Sequence, residues 1–205
     1  MPDHPDLRTG AVYGTGKREE NLRGYFAAIS AMDEQIGRLL DAVEEQGLAD
    51  NTVILFTADN GMSMGQHGVW GKGNGTFPMN MYDSAVKVPF LISWPGHIPA
   101  NTVCSEMISA CDLLPTILKL TGLSDKQPTG LPGRSFTELL EGRQLEHRDE
   151  VVIFDEYGPV RMIRTKEWKY VHRYPYGKHE LYHLVDDPGE EKNLYGLPEY
   201  KKLVT

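Results

Sequence analysis

Asp59, Asn60 and Lys72 are the side chains whose types and spacing could do chemistry together. Asp59 and Asn60 offer a carboxylate and an amide oxygen, hard donors suited to Ca²⁺ and less well to Mg²⁺. Lys72 lies within Gly68-Val-Trp-Gly-Lys-Gly-Asn-Gly-Thr76, where bare backbone lets a ligand approach and an ammonium can face an oxyanion. A cation on one side and an ammonium on the other would draw off charge from a small tetrahedral oxyanion. Each part alone has a simpler reading. An Asp-Asn-Gly tripeptide is commonly a turn, and a lysine among glycines is commonly a solvated chain. His67, in the same stretch, either contacts substrate or bonds to a neighbouring carbonyl. Tyr82 and Asp83 either order the lysine loop or pack at its base.

The elements around these residues are legible from periodicity. Leu22, Tyr25, Phe26, Ile29, Met32, Ile36, Leu39, Leu40 and Val43 recur every three or four positions, predicting a helix from Glu19 to about Gln46 with Gly47 as its stop. Thr52–Ala58 is β-branched and apolar without alternation, predicting a strand covered on both faces. Asp59 would then sit at its carboxyl end, where ligands gather in open α/β sheets. Val88–Trp94 predicts a second strand, with Pro89 at an edge or at its start. The thirty or so residues between these strands form a long Gly-rich connection, of a kind that is commonly functional. Asp112–Leu120 predicts a helix with Asp112 as N-cap, and Ser135–Glu141 another short one. Residues 1–18 are polar and without period, predicting an extended lead-in.

From Glu150 the pattern changes to short segments: Val151–Phe154, Val160–Arg164, Trp168–His172 and Glu180–Leu184, predicting a small antiparallel sheet. The fold class expected is therefore α/β, part of a mixed sheet flanked by helices over residues 1–148, followed by an antiparallel β subdomain over 149–205. Asp186-Asp187 and Glu190-Glu191 read as a solvated acidic turn. With 21 basic and 29 acidic side chains the net charge is −8, which argues against a nucleic-acid binder. No apolar run is long enough to span a bilayer. Cys104 and Cys111 permit at most one disulfide, and the compartment stays open.

Thr57-Ala-Asp-Asn-Gly61, His67-Gly-Val-Trp-Gly-Lys72 and Met81-Tyr-Asp-Ser-Ala-Val-Lys-Val-Pro-Phe-Leu-Ile-Ser-Trp-Pro-Gly96 together resemble the second half of sulfatases, of the alkaline-phosphatase-like superfamily. Tyr25, Asp33 and Gly37, Asp112-Leu-Leu-Pro-Thr-Ile117, Glu180-Leu-Tyr182, Asp187-Pro-Gly-Glu190 and Asn193-Leu194 continue the resemblance over nearly the whole chain. It implies a sulfuric ester hydrolase in which Asp59 and Asn60 are two of four protein ligands to calcium and Lys72 contacts the sulfate oxygens. The substrate implied is a sulfated small molecule or carbohydrate.

The family's nucleophile is a formylglycine made from Cys or Ser in a Cys/Ser-x-Pro/Ala-x-Arg motif. Cys104 and Cys111 do not fit that motif, nor does any residue before Glu19 supply the family's paired aspartates. Formylglycine is therefore expected in a portion preceding Met1, and these 205 residues are expected not to turn over sulfate esters unaided. The partner expected is that amino-terminal half, or a second copy of the chain. Two alternatives stay open: a phosphodiesterase or phosphonate hydrolase of the same superfamily, and a non-catalytic sulfatase-like chain. His179-Glu-Leu-Tyr-His183 spells a zinc-protease motif, but Gly177 and Pro188 leave no room for the helix that chemistry needs.

Overall fold

The computed structural model of the chain describes residues 8–9, 18–126, 128–143, 148–155, 158, 160–175 and 177–204. Of the lead-in expected over residues 1–18, only Arg8–Thr9 (β1) and Arg18 fall within them; the rest lies outside the described residues. Helix α1 (Arg18–Glu45) follows the three- and four-residue apolar spacing. It ends where Gly47 takes a φ of 67°, and the N–H groups of Gly47 and Leu48 reach back to the carbonyls of Glu44 and Val43 at 2.9 and 3.0 Å. That reciprocal pair satisfies carbonyls the helix end would leave bare. The apolar stripe itself faces solvent: Phe26 is 55% exposed and Leu39 68%.

Strand β2 (Ile54–Thr57) carries the expected apolar run and leads into two short ladders, β3 (Ser63–Met64) with β4 (Trp70–Gly71), and β5 (Thr76–Phe77) with β1. A single helical turn, α2 (Asp83–Val86), then delivers the chain to β6 (Phe90–Ser93), which begins just after Pro89. β2 and β6 pair antiparallel, Ile54 opposite Ser93 and Thr57 opposite Phe90. Cover on both faces of β2 is partial: Ile54, Leu55 and Phe56 are only half-buried, because among the described residues the sheet here has two strands.

Helix α3 (Leu113–Leu120) forms as expected, but the role of Asp112 is different. Its side chain makes no cap bond to α3. Instead Ser109 opens the preceding turn, and its N–H donates to Asp112 Oδ2 at 2.8 Å. Asp112 Oδ1 accepts the Arg134 N–H at 2.8 Å and pairs with the Arg148 guanidinium. Burial works against this carboxylate, but the two backbone donors and Arg148 hold its pKa below the usual range. Gly133 must pass so close that a Cβ would lie 1.8 Å from the Cys111 carbonyl oxygen, which leaves no room for any other residue. α4 (Thr137–Leu140) is the second short helix.

The carboxyl-terminal portion is one four-stranded antiparallel sheet, ordered β10-β9-β8-β7. Its strands are β7 (Val151–Phe154), β8 (Val160–Arg164), β9 (Trp168–Arg173) and β10 (Glu180–His183), close to the sequence reading. Val160, Met162 and Val171 are fully buried and pack with Met81, against which Val86 and Ile153 also rest. β9 alternates with its charged residues inward. Lys169, Val171 and Arg173 are buried, while Trp168, Tyr170 and His172 are half-exposed. Two cations on an inward face require partners inside, since an unpaired buried charge is costly.

Candidate functional site

Asp59, Asn60 and Lys72 come together at the carboxyl end of β2. Lys72 Nζ lies 3.0 Å from Asn60 Oδ1, to which it donates. The β3–β4 ladder helps bring the two segments together: Ser63 pairs with Gly71, so Lys72 leaves β4 beside the end of the ladder that is nearer Asn60. Ser63 Oγ and Ser84 Oγ bond at 2.7 Å and tie the ladder to α2. Asp59 is exposed, and its Oδ1 accepts the Asn60 N–H at 2.9 Å in a tight turn. The Asn60 Nδ2 donates to the Gly61 carbonyl at 2.9 Å, which leaves its Oδ1 facing the lysine. Gly61 serves close approach more than turning: a Cβ there would lie 2.2 Å from the Ser84 carbonyl oxygen.

Two adjacent oxygen donors fit a hard divalent cation as part of a coordination shell. Ca²⁺ takes about six to eight oxygens, so these two would be a minority of them. Among the described residues no group of three or more His, Cys, Asp or Glu is placed to hold a metal. His67 sits at a φ of 54°, and its ring lies flat on Tyr82 with centroids 3.7 Å apart. Tyr82 is thus the packed floor of the loop, and its burial pushes the phenol well above the ordinary tyrosine range.

Behind the loop lies a charged cluster that the sequence did not reveal. Lys169, fully buried, donates to the Met81 carbonyl at 3.0 Å and meets Asp83 Oδ1 and Glu190 Oε1, each at 2.5 Å. Arg164 grips both oxygens of Asp83 at 3.2 and 3.1 Å, and the Asp83 N–H donates to Glu190 Oε2 at 2.6 Å. Burial opposes the charge on Asp83, yet Lys169 and Arg164 hold its pKa below the usual range. At Glu190 burial outweighs Lys169 and the Asp83 N–H, and its pKa is raised. Glu190 is therefore not part of a solvated acidic turn, as the run Glu190-Glu191 suggested. One step along β9, Arg173 donates from Nε to Glu180 at 3.0 Å and from Nη1 to the Met79 carbonyl at 2.6 Å. The signal for this cluster was present as Lys169 and Arg173 flanking Val171 at strand spacing, with Glu180 on the next strand for Arg173 and the distant Asp83 and Glu190 for Lys169.

The zinc-protease motif lies at and within β10, with its imidazoles in separate surroundings. His179 Nδ1 accepts the Arg173 N–H at 2.9 Å, and burial lowers its pKa. His183 Nδ1 lies 2.7 Å from Asp186 Oδ2. Cys104 and Cys111 are free thiols.

An acid-amide pair and a lysine thus stand at the end of a hydrophobic strand in an α/β chain backed by an antiparallel sheet, and comparison with known proteins gives the family. The sulfatase family model matches residues 3–123, and a model described as N-sulphoglucosamine sulphohydrolase, C-terminal, matches residues 65–205. The chain belongs to the sulfatase family. It is 31% identical to an N-acetylglucosamine-6-O-sulfatase of Bacteroides thetaiotaomicron, over 96% of this chain and 36% of that protein. A solved structure described in complex with its substrate D-glucosamine-2-N,6-O-disulfate superposes with a TM-score of 0.81 at 30% identity, covering 95% of this chain and 41% of that one. The phosphonate monoester hydrolase of Agrobacterium radiobacter superposes with a TM-score of 0.74 at 30% identity, over 87% of this chain and 38% of that one. The chain thus spans well under half the length of the relatives it matches.

Proposed function

We propose that this chain supplies the cation-and-lysine part of a sulfuric ester hydrolase site. The observation that carries the reading is the 3.0 Å approach of Lys72 Nζ to Asn60 Oδ1, beside the Asp59 carboxylate, at the end of β2. In this reading Asp59 and Asn60 ligate calcium, which when bound polarises the sulfate oxygens. Lys72 donates its ammonium to a non-bridging oxygen of the ester and so favours the charge that develops there. The Asp59 turn fixes the spacing of the two donors, and the β3–β4 ladder fixes the approach of the lysine. His67 is held flat against Tyr82 and shapes the loop beside the substrate. Neither Cys104 nor Cys111 lies in the Cys/Ser-x-Pro/Ala-x-Arg motif from which the family's formylglycine nucleophile is made.

The substrate class is a sulfated carbohydrate, as for the glucosamine-type relatives. A phosphonate hydrolase is the second reading, favoured by the likeness to the Agrobacterium enzyme. The amide at Asn60 and a lysine in place of a metal-binding histidine set favour sulfate. The test is aryl-sulfate turnover by this chain joined to an amino-terminal half bearing a Cys/Ser-x-Pro/Ala-x-Arg motif. Lys72→Ala should lower kcat by roughly 10²–10³-fold, the scale for losing a donor to developing charge. Steady turnover by the unsupplemented 205 residues, or a Lys72→Ala variant of undiminished rate, would overturn the reading.

A further inference from the structure

We propose that Asn80, held in place from β9, is the positioning residue for Lys72, so that the carboxyl-terminal sheet sets where the ammonium points. This rests on the reading of Lys72 as the sulfate-contacting group. Lys72 is exposed, so the aim of its long side chain depends on where the backbone starts it. That backbone is held by one fully buried residue. The Asn80 N–H donates to the Gly73 carbonyl at 3.0 Å, and its Nδ2 donates to the carbonyls of Lys72 and Gly73 at 3.2 and 3.1 Å. Its side-chain amide thus donates to two adjacent carbonyls while its own N–H makes a further bond to the second of them.

Asn80 is itself bracketed by the two inward cations of β9. Arg173 Nη1 donates to the carbonyl of Met79, and Lys169 Nζ to the carbonyl of Met81. Both cations are fixed in turn by acids, Arg173 by the buried Glu180 and Lys169 by the half-buried Asp83 and the buried Glu190. The residue after Met81 in the same anchored run is Tyr82, whose ring carries His67. A rigid strand thus grips a three-residue segment at both ends, and its middle residue grips the lysine. Charged side chains buried on β9 have a use beyond holding the sheet together, because their free donors are spent on the backbone of the lysine loop.

The test uses the whole chain with lysine labelled at Cε, the Lys72 signal being identified by its loss in Lys72→Ala. Sodium sulfate is titrated in the presence of calcium chloride, and amide hydrogen exchange is followed by mass spectrometry. Asn80→Ala should weaken the sulfate response of the Lys72 signal by about tenfold or more, as misplacement of a binding group does. It should also speed exchange across residues 69–76 while leaving 160–183 unchanged. Arg173→Met should act like Asn80→Ala, and Arg173→Lys, which keeps a donor for the Met79 carbonyl, should restore most of the response. Adding Asn80→Ala to Lys72→Ala should cost no further sulfate affinity, since the two act as a unit. Asn80→Ser gives the same reading with a smaller lesion if the alanine variant does not fold. Exchange that rises equally in both regions, or sulfate affinity unchanged in folded Asn80 and Arg173 variants while Lys72→Ala loses it, would overturn the proposal. Sulfate affinity unchanged in Lys72→Ala would instead overturn the reading of Lys72 itself.

Discussion

The amino-terminal α/β portion and the carboxyl-terminal sheet handle their apolar surface in opposite ways. Helix α1 leaves Phe26, Met32 and Leu39 exposed, and β2 is only half-covered, whereas Val160, Met162, Val171 and Leu181 of the sheet are fully buried. The proposed site residues, Asp59, Asn60 and Lys72, belong to the portion with the weaker core. The residues that support them, Lys169, Arg173, Asp83 and Glu190, connect it to the portion with the stronger one. Reactive groups need solvent and substrate, while their supports need burial, and this chain divides the two tasks between its halves.

The largest expected effect comes from removing a support. Lys169→Met would leave Asp83 and Glu190 facing each other without their shared cation, at a cost of about 3–5 kcal/mol. Urea denaturation checks it, and a loss under about 1 kcal/mol would show that the cluster does not bear on stability. Next is a matched pair of truncations. Met162→Ala, in the sheet core, should cost about 2–5 kcal/mol. Met32→Ala, at 46% exposure on α1, should stay within about 0.5 kcal/mol, measured the same way. Equal losses would erase the contrast between the two portions.

The smallest effect is in pH. Asp83 and Asp112 have depressed folded-state pKa values, so their stabilisation is present above the ordinary aspartate value and is lost as pH falls below about 4. Glu190, with its raised value, works in the other sense: its protonation on acidification favours the folded chain. Because two depressed carboxyls oppose one raised one, the urea midpoint should fall between about pH 5 and pH 3, and Asp112→Asn should flatten that fall. A midpoint that rises on acidification would place Glu190 in control.

Much of this was legible in the sequence. The three-and-four spacing of α1 and the short β-rich segments after Glu150 translate directly into elements, because apolar residues recur at the repeat of the backbone, even where, as on α1, the stripe is left exposed. The chemistry-bearing residues were legible as types at a strand end. The lysine's approach to Asn60 was not, since it depends on a ladder of two residues per strand, too short to leave a pattern. The inward facing of Lys169 and Arg173 on β9 was hidden for a different reason: it depends on acids in other segments, Asp83 and Glu190 for Lys169 and Glu180 for Arg173. Asp112 likewise reads as a helix cap from its neighbours, while its partners Arg134 and Arg148 are remote.

The most direct test of the cation-and-lysine site is the side-chain amide signal of Asn60, followed by NMR as calcium chloride is added. The expected result is a saturable shift in the native chain that is lost in Asp59→Ala. A signal indifferent to calcium, or one responding identically in both proteins, would contradict the assignment of Asp59 and Asn60 as partners on one cation.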